Sequence, residues 1–477
     1  MAAIDDYFAT PEALRILLIE VWINTALGTR LYMSDTPYTT EASDATPNMR
    51  YSPVIGAPGL PEMRRTLGEL WDAGNASTSF GNVSLVGDSV SFRNSLGEGL
   101  TTTTGGFQRG AIVFARMAAP RDKFDASTAW LIASGAIGRC SGSSAGGMTF
   151  EITDGTSDLA EKAIAIDPTV APICWGYCRN ITPFLIDPAT LKYAVHDGPI
   201  SDITAVYDQG ALLTYPGQYT KNLAAGTFTL AASPVGVVTC DVQGAKPSGT
   251  WLQTTAQIAA DVLSRTGYGG ASNFSTLPTG TIGLYVTQST TQGKLLDRLM
   301  QGCAGYWVVN RSGTLVGAQY PVPASGTVYD ESSLLDEVAW TASDRLYGKL
   351  TYNYRTNWTT YQARPAATAA QAAFAAGTGL NGVYTASMSS DTTYKDSPPL
   401  NTLFDASSDA LTLATRVSSI YSVPRKIMST VVPYKSLLDL GSLVTLTFGG
   451  NSYNGAVIEV VDVFDGNYPS QKITVLS

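Results

Sequence analysis

A single histidine, His196, stands in 477 residues. Any Ser–His–Asp or Cys–His scheme would need it as base, which reduces the hydrolytic options to one constellation. Charge is scarce too: Asp, Glu, Lys and Arg make up 14% of the chain, against about 25% in an average soluble domain. Cysteine numbers 5, odd and too few to staple a chain of this length, so synthesis in a reducing compartment is the simpler expectation. No stretch approaches the ~20 uninterrupted apolar residues of a membrane span. The apolar segment from Ala13 to Ile23 is broken by Arg15 and Glu20, and Asp5 and Asp6 precede it where a secretion signal carries positive charge. It reads as a mature N-terminus on a chain made in the cytoplasm. Phosphate-loop, strand-borne dinucleotide and calcium-loop motifs are missing, as is any repeat of about 20–50 residues.

What is present suits packed β-structure. Hydrophobic residues reach 44%, and Gly 46 with Pro 24 supply many turns. The length gives a prior of about three domains. With 30 basic against 39 acidic residues the net charge is −9, the wrong sign for holding nucleic acid by its phosphates. Tyr 24 and Trp 8 are generous for so uncharged a chain. They suit either sugar-binding grooves or protein interfaces, and the shortage of charge favours burial against other chains in a permanent assembly.

Short β-prone runs with turns between them dominate. Strands are expected at Asn82–Phe92 (a hairpin about Gly87-Asp88), Ala111–Met117, Trp130–Gly138, Met148–Thr153, Ile203–Tyr207 and Gly236–Val242. Arg15–Ile23 fits a strand or a short helix. Helices are expected at Thr254–Ser264, at Thr291–Cys303 with a capping box from Ser289 and Gln292, and at Ser408–Tyr421, where Leu413, Val417, Ile420 and Tyr421 share a face. The helix at 291–303 leads into a hairpin turning at Arg311–Gly313. Ala366–Ala376 reads as helix or linker and Gly377–Pro399 as loop. Gly449-Gly450-Asn451 joins two strands of a C-terminal meander.

Candidate chemistry is thin. Gly138-Arg139-Cys140-Ser141-Gly142 has the letters of a nucleophile turn, but the Gly-rich residues after it cannot open the helix that such a turn requires. Cys174 and Cys178 form a C-x₃-C pair, weak candidates for a metal or iron–sulfur site. Zinc knuckles prefer C-x₂-C, and Cys140, Cys240 and Cys303 are scattered, so buried thiols are the preferred reading. His196-Asp197-Gly198 reads as a strand end and turn. Glu459 and Asp462 form a carboxylate pair that sequence cannot place across a cleft. No residue is proposed as catalytic and no cofactor is expected.

The run PICWGYCRNITPFLIDPATLKYAVHDGP from Pro172 to Pro199 is distinctive. It resembles the baseplate or tail-tip hub proteins of long-tailed, non-contractile bacteriophages and gene transfer agents, which carry a similar G-x-x-x-N-x-x-P-x-L-x-D-P run ending in Y-x-V-H-D-G. Asn48–Asp72 with Phe80–Leu85, Lys294–Leu315, Tyr347–Trp358 and Gly441–Val463 are similar to further stretches of that family. Cys174 and Cys178 are not part of its pattern. The resemblance implies a mainly β, multidomain chain with two small antiparallel β-barrel tube domains plus inserted β-rich and α+β domains. The expected division is 1–166 (N-terminal barrel), 167–250 (β-rich insertion), 251–364 (α+β) and 365–477 (linker and C-terminal barrel).

The resemblance also implies a homotrimer that adapts a six-fold tail tube to a three-fold tip. Its expected partners are a distal tail or tube protein ring above, a central tip or fibre protein below and a tape measure protein in the lumen. Phage DNA would leave through that lumen without specific binding, and the net negative charge suits a wall that does not retain phosphate. The expected location is the virion tail tip, after assembly in the host cytoplasm. The alternatives are a receptor- or glycan-binding tail protein and a cell-wall hydrolase acting through Cys140 and His196.

Overall fold

The computed structural model describes residues 7, 14–24, 29–44, 47–56, 62–71, 76–86, 112–119, 130–142, 148–154, 161–343, 346–365, 367–377, 384–389, 393–435, 437–464 and 469–477. The chain is mainly β, and most of its strands pair antiparallel. Ile16–Asn24 is a strand at the centre of an eight-stranded sheet, between Thr29–Ser34 and Ile112–Ala118. Its periodicity was undecidable from sequence because both faces are covered. Leu17, Ile19 and Val21 enter one core, while Leu18 packs with Tyr38, Tyr51 and Ala118 in another, so the run reads as continuously apolar rather than alternating. Trp130–Gly142, Met148–Thr153 and Asn82–Leu85 continue the sheet. The backbone N–H groups of Gly56 and Val86 donate to Ser84 O (2.9 Å) and Val54 O (2.8 Å), closing the sheet on itself.

A second large sheet runs in the order Thr327–Tyr329, Leu443–Phe448, Asn451–Val463, Ser470–Leu476, Lys426–Pro433, Ala339–Ala342. Its tight hairpin turns at Gly449 and Gly450, both at positive φ (57° and 75°), as the two-residue turn matching strand twist requires. This sheet draws strands from across the expected divisions. Glu62–Leu67 pairs with Asn451–Val463 and carries Ala76–Ser79 on its other side. Thr327–Tyr329 and Ala339–Ala342 pair with it from within the segment expected to be α+β.

Between these sheets in sequence lies the segment expected to be the insertion. A five-stranded sheet is centred on Val238–Ala245, flanked by Ile200–Asp208 and Ile173–Ile181, and a four-stranded sheet includes Lys192–Ala194 and Thr227–Leu230. Four helices are described: α1 (Thr255–Arg265), α2 (Gln292–Gly302), α3 (Ala369–Ala375) and α4 (Ser407–Tyr421). Helices α1, α2 and α4 share the largest core, through residues such as Ile258, Leu296 and Val417.

Two sequence expectations change. The cap of α2 is Thr291, whose hydroxyl accepts from Lys294 N–H, while Ser289 is taken up by the backbone of Ile166. The stretch Gly377–Pro399 contains a strand, Tyr384–Ser389, paired with Lys349–Tyr354. Asn82–Leu85 pairs with Met148–Thr153; its expected hairpin partner near Val90 lies outside the described residues. The Ala-rich run is helical at α3, and there the Thr368–Gln371 capping box is complete.

Candidate functional site

The Pro172–Pro199 run supplies one strand of the five-stranded sheet and two of the four-stranded one. Ile173–Ile181 pairs with Gly283–Val286 through its first half and with Val238–Ala245 through its second. The crossover between partners falls at Gly176, at φ +65°. A Cβ there would lie 1.7 Å from Ile282 O, so only glycine lets the two backbones meet. The D-P-x-T segment is a turn: Asp187 accepts from Ala189 N–H (3.0 Å) and Thr190 Oγ1–H (2.6 Å), and the Thr190 bond holds its carboxyl below the usual range. The distinctive residues of the run are thus spent on a change of strand partner and a turn.

The G-x-C-x-G letters about Cys140 do not form a nucleophile elbow. The strand Trp130–Gly142 runs through the G-x-C-x-G letters with Cys140 opposite Phe150, so the strand–turn–helix of a nucleophile elbow is missing. Both nitrogens of His196 face other groups. Nδ1 accepts from the Cys174 backbone N–H (3.1 Å), which places the ring proton on Nε2, 3.3 Å from Asp197 Oδ1. Arg265 joins Asp197 (2.6 Å) to Asp261 (2.8 Å), and Asp261 accepts from Trp175 Nε1–H (2.7 Å). The expected Asp-Gly turn lies in this bracket, which ties the insertion to α1.

His196 is 2% exposed. Burial is the main cause that pushes its pKa from 6.5 down to about 4, with Arg265 adding to the effect and Asp197 opposing it. As the pH falls, the unfolded chain therefore takes up the proton first. Stability contributed by the neutral ring is whole above about 6.5, declines through the interval and is lost by about 4, a change of roughly 3 kcal/mol. His196→Asn, whose amide oxygen can still accept from Cys174, is expected to flatten this part of the stability–pH curve. Urea unfolding of both proteins across that range measures it, and identical slopes would refute the assignment.

Cys174 and Cys178 sit on one strand with Cys240 in the same core, all fully buried. Burial and then the neighbouring Cys174 raise the Cys178 thiol well above its ordinary value, and Cys303, also buried, is pushed up to about 12. Without a bound cation such thiols stay protonated. Among the described residues, no group of three or more His, Cys, Asp or Glu could hold a metal. Glu459 and Asp462 are each engaged by arginine. Glu459 bonds Arg64. Asp462 is fully buried with Arg65 (2.9 Å), Gln471 (2.7 Å) and Arg311 (3.7 Å). Arg65 also reaches Asp439 (2.7 Å), and Arg311 donates to Tyr434 Oη and Leu438 O. This network fastens the Glu62–Leu67 strand, the 305–319 hairpin and the C-terminal sheet together.

One feature escaped the sequence reading. A cleft of about 160 Å³ opens between the insertion sheet and α3, walled by Arg179, Tyr207, Asp241, Arg355, Tyr361 and Phe374. Asp241 accepts from Asn180 N–H (2.8 Å) and Tyr207 Oη–H (3.1 Å), and its burial raises its pKa. Arg179 is bidentate on Asp405 (2.6 and 3.0 Å). Asn180 and Arg355 line the cleft in left-handed conformations, φ 53° and 54°. The only sequence signal was that both lie in stretches carrying the family resemblance; the residues converge from segments some 170 positions apart.

No protein-family model matches the chain. No curated protein matches it either. Among solved structures, it is similar to the 43 kDa tail protein of prophage MuSo2 from Shewanella oneidensis, at 12% identity and TM-score 0.42, covering 96% of this chain and 98% of that one. It is similar to the tail protein from Neisseria meningitidis MC58, at 8% identity and TM-score 0.44 over 97% and 96% of the two chains. It is also similar to prophage tail protein gp18 from Listeria monocytogenes EGD-e, at 8% identity and TM-score 0.40 over 98% and 94%.

Proposed function

We propose that this chain is a structural protein of a virion tail, and that it forms the trimeric hub at the tail tip. The observation that carries the reading is how the family-like segments are used. The stretches 48–72, 172–199, 294–315, 347–358 and 441–463 recur as the pieces that interlock. Glu62–Leu67 pairs into Asn451–Val463, and Arg311 reaches the carboxylate that Arg65 holds. The Trp358 N–H donates to Arg179 O. A chain whose resemblance to a family lies in its joints is built to hold shape under load, and His196, the one histidine, is taken up by a structural bond to Cys174 N–H.

In this reading the chain divides near 1–166, 167–250, 251–364 and 365–477, with strands exchanged across the divisions. Three copies close head to tail, below a distal tail or tube protein ring and above a central tip or fibre protein. The tape measure protein ends in the lumen, and DNA passes without being held, as suits the net charge of −9. The exposed side chains of the Ala339–Ala342 edge strand, Trp340 among them, belong to the surface available for such contacts.

Gold labelling of a C-terminal tag in tailed particles tests the location. Label at the end of the tail distal to the head supports it; label along the shaft, label at the head or unlabelled particles would refute it.

A further inference from the structure

We propose that the cleft between the insertion sheet and α3 binds a single neutral sugar ring. Arg179, Arg355 and Asp241 line it, and Asp405, outside the lining, pairs with both arginines (2.6 and 3.8 Å). Each charge in the wall thus already has an opposite charge of the protein nearby. What remains is a set of donors and acceptors held in fixed positions, with the Arg179 guanidinium and the Asp241 carboxylate 4.0 Å apart. Adjacent hydroxyls on a ring satisfy such a pair, one accepting from arginine while the other donates to carboxylate. Tyr207, Tyr361 and Phe374 supply flat apolar walls for the C–H face of the ring.

Size points the same way. About 160 Å³ is well below the roughly 300–1,000 Å³ of sites for larger ligands. It holds one six-membered ring or a few waters. The groups are preorganised: Asn180 is 1% exposed and its side chain is fixed by Asn357 and Thr359. Two left-handed non-glycine residues in one wall are a local cost that binding sites characteristically carry. The inference is independent of the tail-tip reading, because it concerns the cleft of one chain whatever that chain assembles into.

Saturation-transfer NMR on the full chain tests it, with D-glucose, D-galactose, N-acetyl-D-glucosamine and L-rhamnose as probes. Ala370 is exposed on α3 at the rim of the cleft, so Ala370→Phe should fill the opening without entering a core. Transfer to at least one sugar is expected, weakened about tenfold or more in Ala370→Phe with an unchanged thermal melt. Phe374→Leu, which removes one flat wall and leaves the polar groups in place, should weaken it as well. Three results would overturn the inference: no transfer to any of the four sugars, undiminished transfer in both variants, or displacement of the bound sugar by inorganic phosphate.

Discussion

Gly176→Ala is expected to unfold the insertion, at a cost above about 4 kcal/mol. The added Cβ would sit 1.7 Å from Ile282 O and 2.8 Å from Ile282 C, and the residue would have to keep φ +65°. Neither obstacle can relax cheaply. The Gly176 N–H is bonded to Leu252 O (3.0 Å) and the Tyr177 N–H to the same Ile282 carbonyl (2.8 Å). Moving the strand breaks the handover between its two partners and disturbs Trp175, which is fully buried. Gly217→Ala is the control, since nothing lies within 4 Å of a Cβ there; it should stay within about 0.5 kcal/mol of the parent. Urea unfolding followed by tryptophan fluorescence reads both. A Gly176→Ala protein as stable as Gly217→Ala would contradict the role assigned to this crossover.

Arg65→Met is expected to cost roughly 3–5 kcal/mol, the price of leaving a buried carboxylate short of its partner. Arg65 and Asp462 are both wholly inaccessible. Burial alone would raise the Asp462 pKa, but Arg65 and Arg311 together overcome it and hold the carboxyl below its ordinary value. The neighbouring Arg64 supplies the contrast. It too pairs with a carboxylate of the same strand, Glu459, but its side chain is 61% exposed, so Arg64→Met should change stability by no more than about 1 kcal/mol. Arg65→Met combined with Asp462→Leu should lose less than the two single variants together, because each relieves the charge that the other strands. Hydrogen exchange of the Glu62–Leu67 strand measures the effect where it acts. Equal costs for the two arginines would show that the network is not what joins the hairpin to the C-terminal sheet.

The helices were legible because each shows an apolar face of period 3.6 to one core: Ile258 and Val262 on α1, Leu296 and Leu299 on α2, Leu413 and Val417 on α4. The Gly449-Gly450 hairpin was legible because its turn chemistry is local. Ile16–Asn24 was not, since two cores bury both of its faces. Strand exchange is harder still to see. Nothing near Glu62–Leu67 announces a partner nearly 400 positions away, and a charged Arg65 reads as surface until Asp439 and Asp462 are seen around it. The cleft was hidden for the same reason: Arg179, Asp241 and Phe374 share no local pattern, and only the tertiary fold brings them together. The singled-out residues Cys140, Cys174, Cys178 and His196 drew attention by chemical type. Three of them are side chains whose surroundings are now visible, and those surroundings are interior bonds.

The central claim is that this chain is a building block of a tail, present as one closed ring. Quantitative mass spectrometry of purified tailed particles tests it directly, by counting copies of this chain against the six-fold tube protein of the same tail. The account predicts three copies per tail; particles that lack the chain, or that hold a different fixed number, would contradict it.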